Sequence, residues 1–325
     1  MSRRLIKVFA MFAFIAVAEH SPLVAQESYP TKPVHLLVAF PPGGPTDLVA
    51  RVLGEKIAEY LGQPVIIENR PGANGNIAAE ATARAEPDGY TVFYNTSAVA
   101  LSPALYAKLS YDVVRDFEPV ALTAVVPLVL AVNPSIPANN VNEFIAYLKT
   151  NRGKLTYGSA GAGNVTHLGA LLFLKSHGLE AVHVPFRGSA PAVTALSGNH
   201  VQFVTDTVNS SFPLIQSGHI KALAVMGGKR TPVLPQVPTL SEAGMRNFEI
   251  GAWQGILVPA RTPAGIIAKL NAAALKALSD QGVKAKLAIQ GAEPLGSTPA
   301  EYGAYIKSEL DRWAKVVKDN AVKLD

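Results

Sequence analysis

Apolar positions along the chain fall into two recurring kinds of run. Short, nearly continuous runs at 34–39, 65–67, 90–94, 155–157, 182–184, 201–204, 222–226 and 253–258 predict buried strands. Longer runs with spaced apolar positions predict helices at 47–61, 77–84, 141–149, 165–176, 190–196, 264–278 and 299–320. In the first of these, Val49, Leu53 and Ile57 recur every four residues, and Thr46 or Asp47 suits its cap. Residues 120–132 are apolar but broken by Pro127, which predicts buried β-structure with the proline at a join between strands. The Pro-rich segment 231–238 reads as a surface connection. Strand, loop and helix alternate in two blocks, before and after 120–132, and a helical segment closes the chain. That order predicts an α/β protein of βαβ units with mainly parallel sheets.

Ahead of the first strand the pattern differs. Arg3, Arg4 and Lys7 precede an unbroken apolar stretch of 11 residues, 8–18, and both Ala16-Val17-Ala18 and Leu23-Val24-Ala25 end in a small residue. This is the order of a secretory signal, and so short a stretch falls below the roughly 20 residues that span a bilayer. Cleavage after Ala25 is expected because the folded pattern begins near Tyr29, which makes 1–25 a signal peptide. The mature charge is then about +3, against +5 for the whole chain.

Composition narrows the function further. With 325 residues and 49% apolar content the chain can form two domains with substantial cores. It has no cysteine, which excludes disulfides, a thiolate nucleophile, zinc–thiolate and iron–sulfur sites, and a lipidated-cysteine anchor. The positive charge is not gathered into Lys/Arg runs, so nucleic acid is not an expected partner.

Two glycine-rich loops, Phe40-Pro41-Pro42-Gly43-Gly44-Pro45-Thr46-Asp47 and Gly158-Ser159-Ala160-Gly161-Ala162-Gly163-Asn164-Val165-Thr166-His167, each join a strand to a helix. Glycine admits a ligand close to the backbone, and a helix N-terminus offers unpaired N–H donors and partial positive charge. Together they make an anion site that needs no basic side chain, at the carboxyl ends of strands where ligands collect in open α/β sheets. Two such loops across a cleft can hold the two ends of a small dianion. Neither matches G-x-x-x-x-G-K-[ST], G-x-G-x-x-G or G-x-S-x-G, and no H-E-x-x-H occurs. Beside them, Thr96 and Ser97 offer hydroxyls, and Arg187 either pairs with an anion or is structural. His167 either donates to a carboxylate or packs. Asp206 either accepts from a ligand or caps, and Asp47 is a cap first and a partner for a ligand amine or a water second. His177 and His183 do not read as metal ligands, and Arg70 reads as structural.

Several segments in order resemble the periplasmic solute-binding proteins of tripartite tricarboxylate transporters, the Bug family. They are Tyr29-Pro30-Thr31-Lys32-Pro33, Phe40-Pro41-Pro42-Gly43-Gly44 with Asp47, Glu68-Asn69-Arg70-Pro71-Gly72-Ala73, Gly158 to Gly163 with His167-Leu168, Pro185-Phe186-Arg187-Gly188 and Val237-Pro238-Thr239. The resemblance covers the chain from about Tyr29 to its end. It implies a two-lobed Venus-flytrap fold of type II, lobe 1 formed by 26–125 with 251–325 and lobe 2 by 126–250, with crossings near 125–132 and 253–258. It implies a periplasmic, non-enzymatic, monomeric receptor without metal or organic cofactor, serving the membrane components of a tripartite transporter. The ligand it implies is a small organic acid: a di- or tricarboxylate, an acidic amino acid or an aromatic acid. The family positions fall on Phe40, Pro41, Pro42, Gly43, Gly44, Asp47, Ser159, Ala160, Gly161, Gly163, His167 and Asp206. A sensor subunit for a signalling receptor is the alternative. A secreted hydrolase using Ser159 or Asp206 with His167 is a further one, disfavoured because neither a nucleophile elbow nor a carboxylate pair is evident.

Overall fold

The structure, a computed structural model, describes residues 29–245, 248–320 and 322. The expected signal segment 1–25 lies outside the described residues. The first block runs β1 (Val34–Val38), α1 (Pro45–Leu61), β2 (Val65–Asn69), a 3-10 turn at Ala73–Gly75, α2 (Asn76–Ala83), β3 (Thr91–Thr96) and α3 (Ala98–Leu105). A long strand, β4 (Phe117–Val132), leads into α4 (Val141–Thr150), β5 (Thr156–Ser159), α5 (Val165–Ser176), β6 (Val182–Pro185), α6 (Ser189–Ser197), β7 (Phe203–Thr207), α7 (Val208–Gln216) and β8 (Lys221–Val225). The chain closes with β9 (Gly251–Pro259), α8 (Ala264–Ser279), α9 (Gln281–Ile289), β10 (Glu293–Pro294) and α10 (Pro299–Asp319).

The strands form one curled sheet in two halves. In the first, β1 pairs in parallel with both β2 and β3, and β9 lies antiparallel between β3 and β4. In the second, β5 pairs in parallel with β6 and β7, and β4 runs antiparallel to β7 and β8. Each half thus carries a parallel run of βαβ units, and antiparallel strands join them. β4 belongs to both halves. Its ladder with β9 ends at Pro127 opposite Gly251, and its ladder with β7 begins at Leu128 opposite Thr207. The expectation of a break at Pro127 is therefore corrected to one continuous strand of 16 residues. Proline is tolerated because its missing N–H falls where pairing passes from one neighbour to the next. β9 pairs with β3 and with the 117–127 part of β4, so the chain is back in the first half from Gly251 onward, next to the crossing expected near 253–258.

Burial follows the pattern. Val126 to Val132 of β4 is buried throughout, Pro127 included, as a strand covered on both faces requires. α1 and α8 pack over one face of the first half, and α10 packs on α3 and β4. Gly255 permits that last approach, since a Cβ there would lie 2.2 Å from the Tyr302 hydroxyl. Buried Glu309 on α10 accepts the indole N–H of both Trp253 and Trp313 at 2.9 Å, fixing helix to strand. Among the described residues, no helix is long and apolar enough to cross a membrane.

Candidate ligand-binding site

The first loop is set by the residues that begin α1. The N-cap is Gly44, not Thr46 or Asp47 as expected, and Pro45 opens the helix, where a missing N–H costs nothing. Asp47 is therefore the third helical residue, and its carboxylate turns back under the loop. It accepts the Gly43 N–H at 2.8 Å, Arg51 Nε at 2.9 Å and Asn69 Nδ2 at 2.8 Å, and is 1% exposed. Asn69 also donates to the Phe40 carbonyl at 2.9 Å, so the brace holds both ends of the turn. Burial pushes the Asp47 carboxyl up, but the hydrogen bonds from Arg51, Gly43 and Asn69 outweigh it and hold the group below its usual range. Gly43 sits at φ +73°, in the left-handed region that favours glycine.

The second loop repeats the device with another acceptor. Gly163, also at φ +73°, donates its N–H to His167 Nδ1 at 3.1 Å, and His167 is again the third residue of its helix. Its ring stacks on His183 with centroids 3.8 Å apart. Burial, with His183 adding to it, pushes the His167 imidazole down to about 3, and burial pushes His183 down to about 4. Both rings are thus neutral, as an Nδ1 that accepts an N–H must be. Ser159 Oγ is hydrogen-bonded to His183 Nε2 at 2.7 Å and donates to the Gly161 carbonyl at 3.0 Å. Ala160 N–H is held by Thr166 Oγ1 at 2.9 Å.

Between the loops lies an inner cavity of about 70 Å³. Helices from both sheet halves point their N-termini at it. Pro45 and Thr46 begin α1, Thr96 and Ser97 precede α3, Asn164 to Thr166 begin α5, Gly188 to Pro191 begin α6, and Thr207 is the N-cap of α7. First-turn N–H groups such as those of Thr46, Ser189 and Ala190 have no acceptor within their own helices. Ser97 Oγ, in a side chain only 1% exposed, has no hydrogen-bond partner and lies in the cavity wall. The remaining walls are apolar, from Phe40, Pro41, Pro42, Ala160 and Ala252, except for Arg187. An outer groove of about 610 Å³ adjoins the cavity and shares Phe40, Pro41, Ala160, Arg187 and Gly188 with it. Across the groove Asn74 Nδ2 donates to the Gly163 carbonyl at 3.2 Å, and Asn164 Nδ2 donates to Asn74 Oδ1 at 3.0 Å, tying the two halves together.

Of the residues singled out in the sequence, Phe40, Pro41, Pro42, Gly44, Thr96, Ser97, Ala160 and Arg187 line the inner cavity. Gly161 lines only the outer groove. Gly43, Asp47, Ser159, Gly163 and His167 stand behind the walls, where their polar groups are taken by the loop braces. Asp206 is fully buried at the end of β7, its Oδ1 accepting the Thr207 N–H at 2.7 Å, and burial pushes its carboxyl up to about 6. None of these six lines the inner cavity: five have polar groups taken up by the loop braces, and Asp206 keeps one buried carboxylate oxygen, Oδ2, without a partner. Sequence reasoning missed the starts of α6 and α7 as parts of the site. The strand–loop–helix signal was present at 185–189, but the short helix from Val208 contains Pro213 and did not read as one.

A model of the family described as the tripartite tricarboxylate transporter family receptor matches residues 49–322. Protein BugT of Bordetella pertussis is 36% identical over 99% of this chain and 98% of its own. The solved structure of the periplasmic binding protein BugD superposes with a TM-score of 0.86 at 35% identity, covering 91% of this chain and all of that one. A structure of an R. palustris protein with adipate gives a TM-score of 0.87 at 36% identity, with 91% and 100% coverage. The α/β fold described above is that of these periplasmic binding proteins.

Proposed function

The chain belongs to the tripartite tricarboxylate transporter receptor family, and from that premise we propose that it is a periplasmic receptor that closes on a small organic carboxylate and passes it to the membrane components of such a transporter. One observation carries the reading: five helix N-termini, contributed by both sheet halves, converge on one small cavity. Each brings roughly half a positive charge and unpaired N–H donors, worth about 0.3–1 kcal/mol apiece at an exposed site and up to about 2 kcal/mol when partly buried. A carboxylate offers matching acceptors and needs no metal to be held there. Adipate in the R. palustris relative supports an organic acid as the ligand.

The lobes in this reading are 26–125 with 251–325, and 126–250, which hinge where β4 passes between sheet halves. Because the donors come from both halves, a bound carboxylate stabilises the closed arrangement, whereas a ligand held by one half alone would shift no equilibrium. The Asn74 bonds to Gly163 and Asn164 suit that closed arrangement. Export by the 1–25 signal places the receptor in the periplasm. Hydrolysis is not supported, since Ser159 is buried, is engaged by His183 and does not line the cavity.

A thermal-shift screen tests the reading with adipate, glutamate and benzoate against glucose and putrescine. A native-state ligand at a hundred times its Kd adds about 2.7 kcal/mol of apparent stability. Carboxylates alone are expected to raise the melting temperature; a rise confined to the sugar or the diamine overturns the proposal.

A further inference from the structure

We infer that Asn74 is a positioning residue that reaches from the first lobe to finish the second loop, latching the lobes together whether or not the cavity is filled. This deepens the receptor reading and rests on it. Two hydrogen bonds cross the cleft at Asn74, and together they need an amide, one donor and one acceptor. Asn74 Nδ2 donates to the Gly163 carbonyl at 3.2 Å, and Asn74 Oδ1 accepts Asn164 Nδ2 at 3.0 Å. What they hold is the backbone of the second loop. Gly163 already gives its N–H to His167, so Asn74 grips the same residue at its carbonyl. Asn164 is the N-cap of α5, and its Oδ1 accepts both the N–H and the Oγ1 of Thr166 at 3.0 Å, which leaves its Nδ2 for Asn74. Thr166 Oγ1 in turn accepts the Ala160 N–H. The relay from Asn74 through Asn164 and Thr166 to Ala160 thus ends on residues that line the inner cavity.

The segment that carries Asn74 is a strap between the two loops. It leaves the first loop at Asn69, whose amide ties the Phe40 carbonyl to the Asp47 carboxylate. It then turns at 72–75, where the Gly75 N–H returns to the Gly72 carbonyl at 2.9 Å. The Tyr111 hydroxyl anchors the next residue, donating to Asn76 Oδ1 at 2.7 Å. Ala73 and Asn74 both sit in left-handed backbone, at φ +45° and +53°. That conformation is costly for a residue with a Cβ, is tolerated best by Asn and Asp, and persists only where the surroundings determine it. Here the surroundings are the anchored turn on one side and the second loop on the other. Neither latch bond includes a ligand atom, so both form in the closed arrangement with or without a ligand. Two neutral hydrogen bonds of ordinary strength change a closed-to-open ratio by about tenfold or more.

Three variants of the full mature chain test this. Asn74→Asp keeps the shape, the tolerance of left-handed backbone and an acceptor for Asn164, but loses the donor to Gly163. Asn74→Gly removes both bonds without straining the turn. Ala73→Gly loosens the same turn and leaves both bonds in place. Spin labels on one exposed cysteine introduced in each lobe report the closed fraction without ligand, since the chain has no cysteine of its own. The closed-to-open ratio is expected to fall about tenfold in both Asn74 variants and to stay within about twofold of wild type in Ala73→Gly. Stopped-flow release of adipate is expected to quicken about tenfold in the same two variants. Label distances that match wild type in both Asn74 variants, or an Ala73→Gly protein as open as they are, overturn the inference. So does an unchanged release rate. If adipate fails to bind the wild type, that result counts against the carboxylate reading, and the label distances alone decide the latch.

Discussion

The two glycine loops that face the cavity are braced in the same way, one by a charged acceptor and the other by a neutral one. In each, a glycine at φ +73° just ahead of the helix donates its N–H to the third helical side chain, Gly43 to Asp47 and Gly163 to His167. In the first the acceptor is an ionised carboxylate whose charge is answered by Arg51. In the second it is a neutral imidazole stacked on another neutral imidazole. A site that collects anions on backbone donors suffers from any uncompensated negative charge behind it. The first loop has an arginine one turn further along its helix and can use a carboxylate. The second has Leu171 at the equivalent position and uses an acceptor that carries no charge.

The largest expected effect comes from breaking the charged brace. Asp47→Ala leaves Gly43, Asn69 and Arg51 without their acceptor and is expected to cost about 3 kcal/mol in urea unfolding. A loss no larger than that of an exposed Asp→Ala control would show the brace to be incidental. His167→Ala strands one buried N–H and removes a stacked ring, with an expected cost of about 2 kcal/mol by the same measurement.

The histidines also give a pH signature. Their native values lie below the ordinary 6.5, so their contribution is full above that pH and is lost as pH falls toward about 4 for His183 and about 3 for His167. The Asp47 brace, also shifted down, is lost only below the usual carboxylate range. Unfolding curves taken from pH 7 to 4 should therefore slope downward with acid, and the slope should be shallower in His167→Ala. An identical slope in both proteins would remove the neutral pair from the account.

Exchanging the acceptors sharpens the comparison. His167→Asp keeps an acceptor for Gly163 but adds a charge with no arginine to answer it, and adipate affinity by calorimetry should fall about tenfold. Unchanged affinity would mean that the charge behind the second loop is irrelevant to the ligand. The smallest effects are expected from Gly43→Ala and Gly163→Ala, each about 1 kcal/mol for forcing a side chain into left-handed backbone. A Cβ on Gly43 meets nothing within 4 Å, so conformation alone accounts for its share.

Much of this architecture is legible in the chain. Nearly continuous apolar strands and helices with spaced apolar positions identify themselves, as 34–38 and 165–176 do, because local burial decides them. The elements that escape are decided elsewhere. Val208–Gln216 and Ala98–Leu105 are short helices with proline inside, held by the sheet ends they follow rather than by propensity. Pro127 reads as a break because the sequence does not reveal that two ladders exchange there. In the site, glycine and proline mark the two loops, but which polar side chain faces the ligand depends on tertiary partners. That Asp47 and His167 accept the Gly43 and Gly163 N–H groups is visible only in the folded loops. Arg187, an ordinary arginine in sequence, likewise shows its place only where two chambers meet beside it.

A crystal structure with adipate tests the central claim most directly. One carboxylate should lie in the inner cavity within hydrogen-bond distance of backbone N–H groups from helices of both sheet halves, Thr46 on one side and Ser189 or Ala190 on the other. Adipate contacting a single half, or seated in the groove between Trp253 and Trp313 on α10, would contradict it.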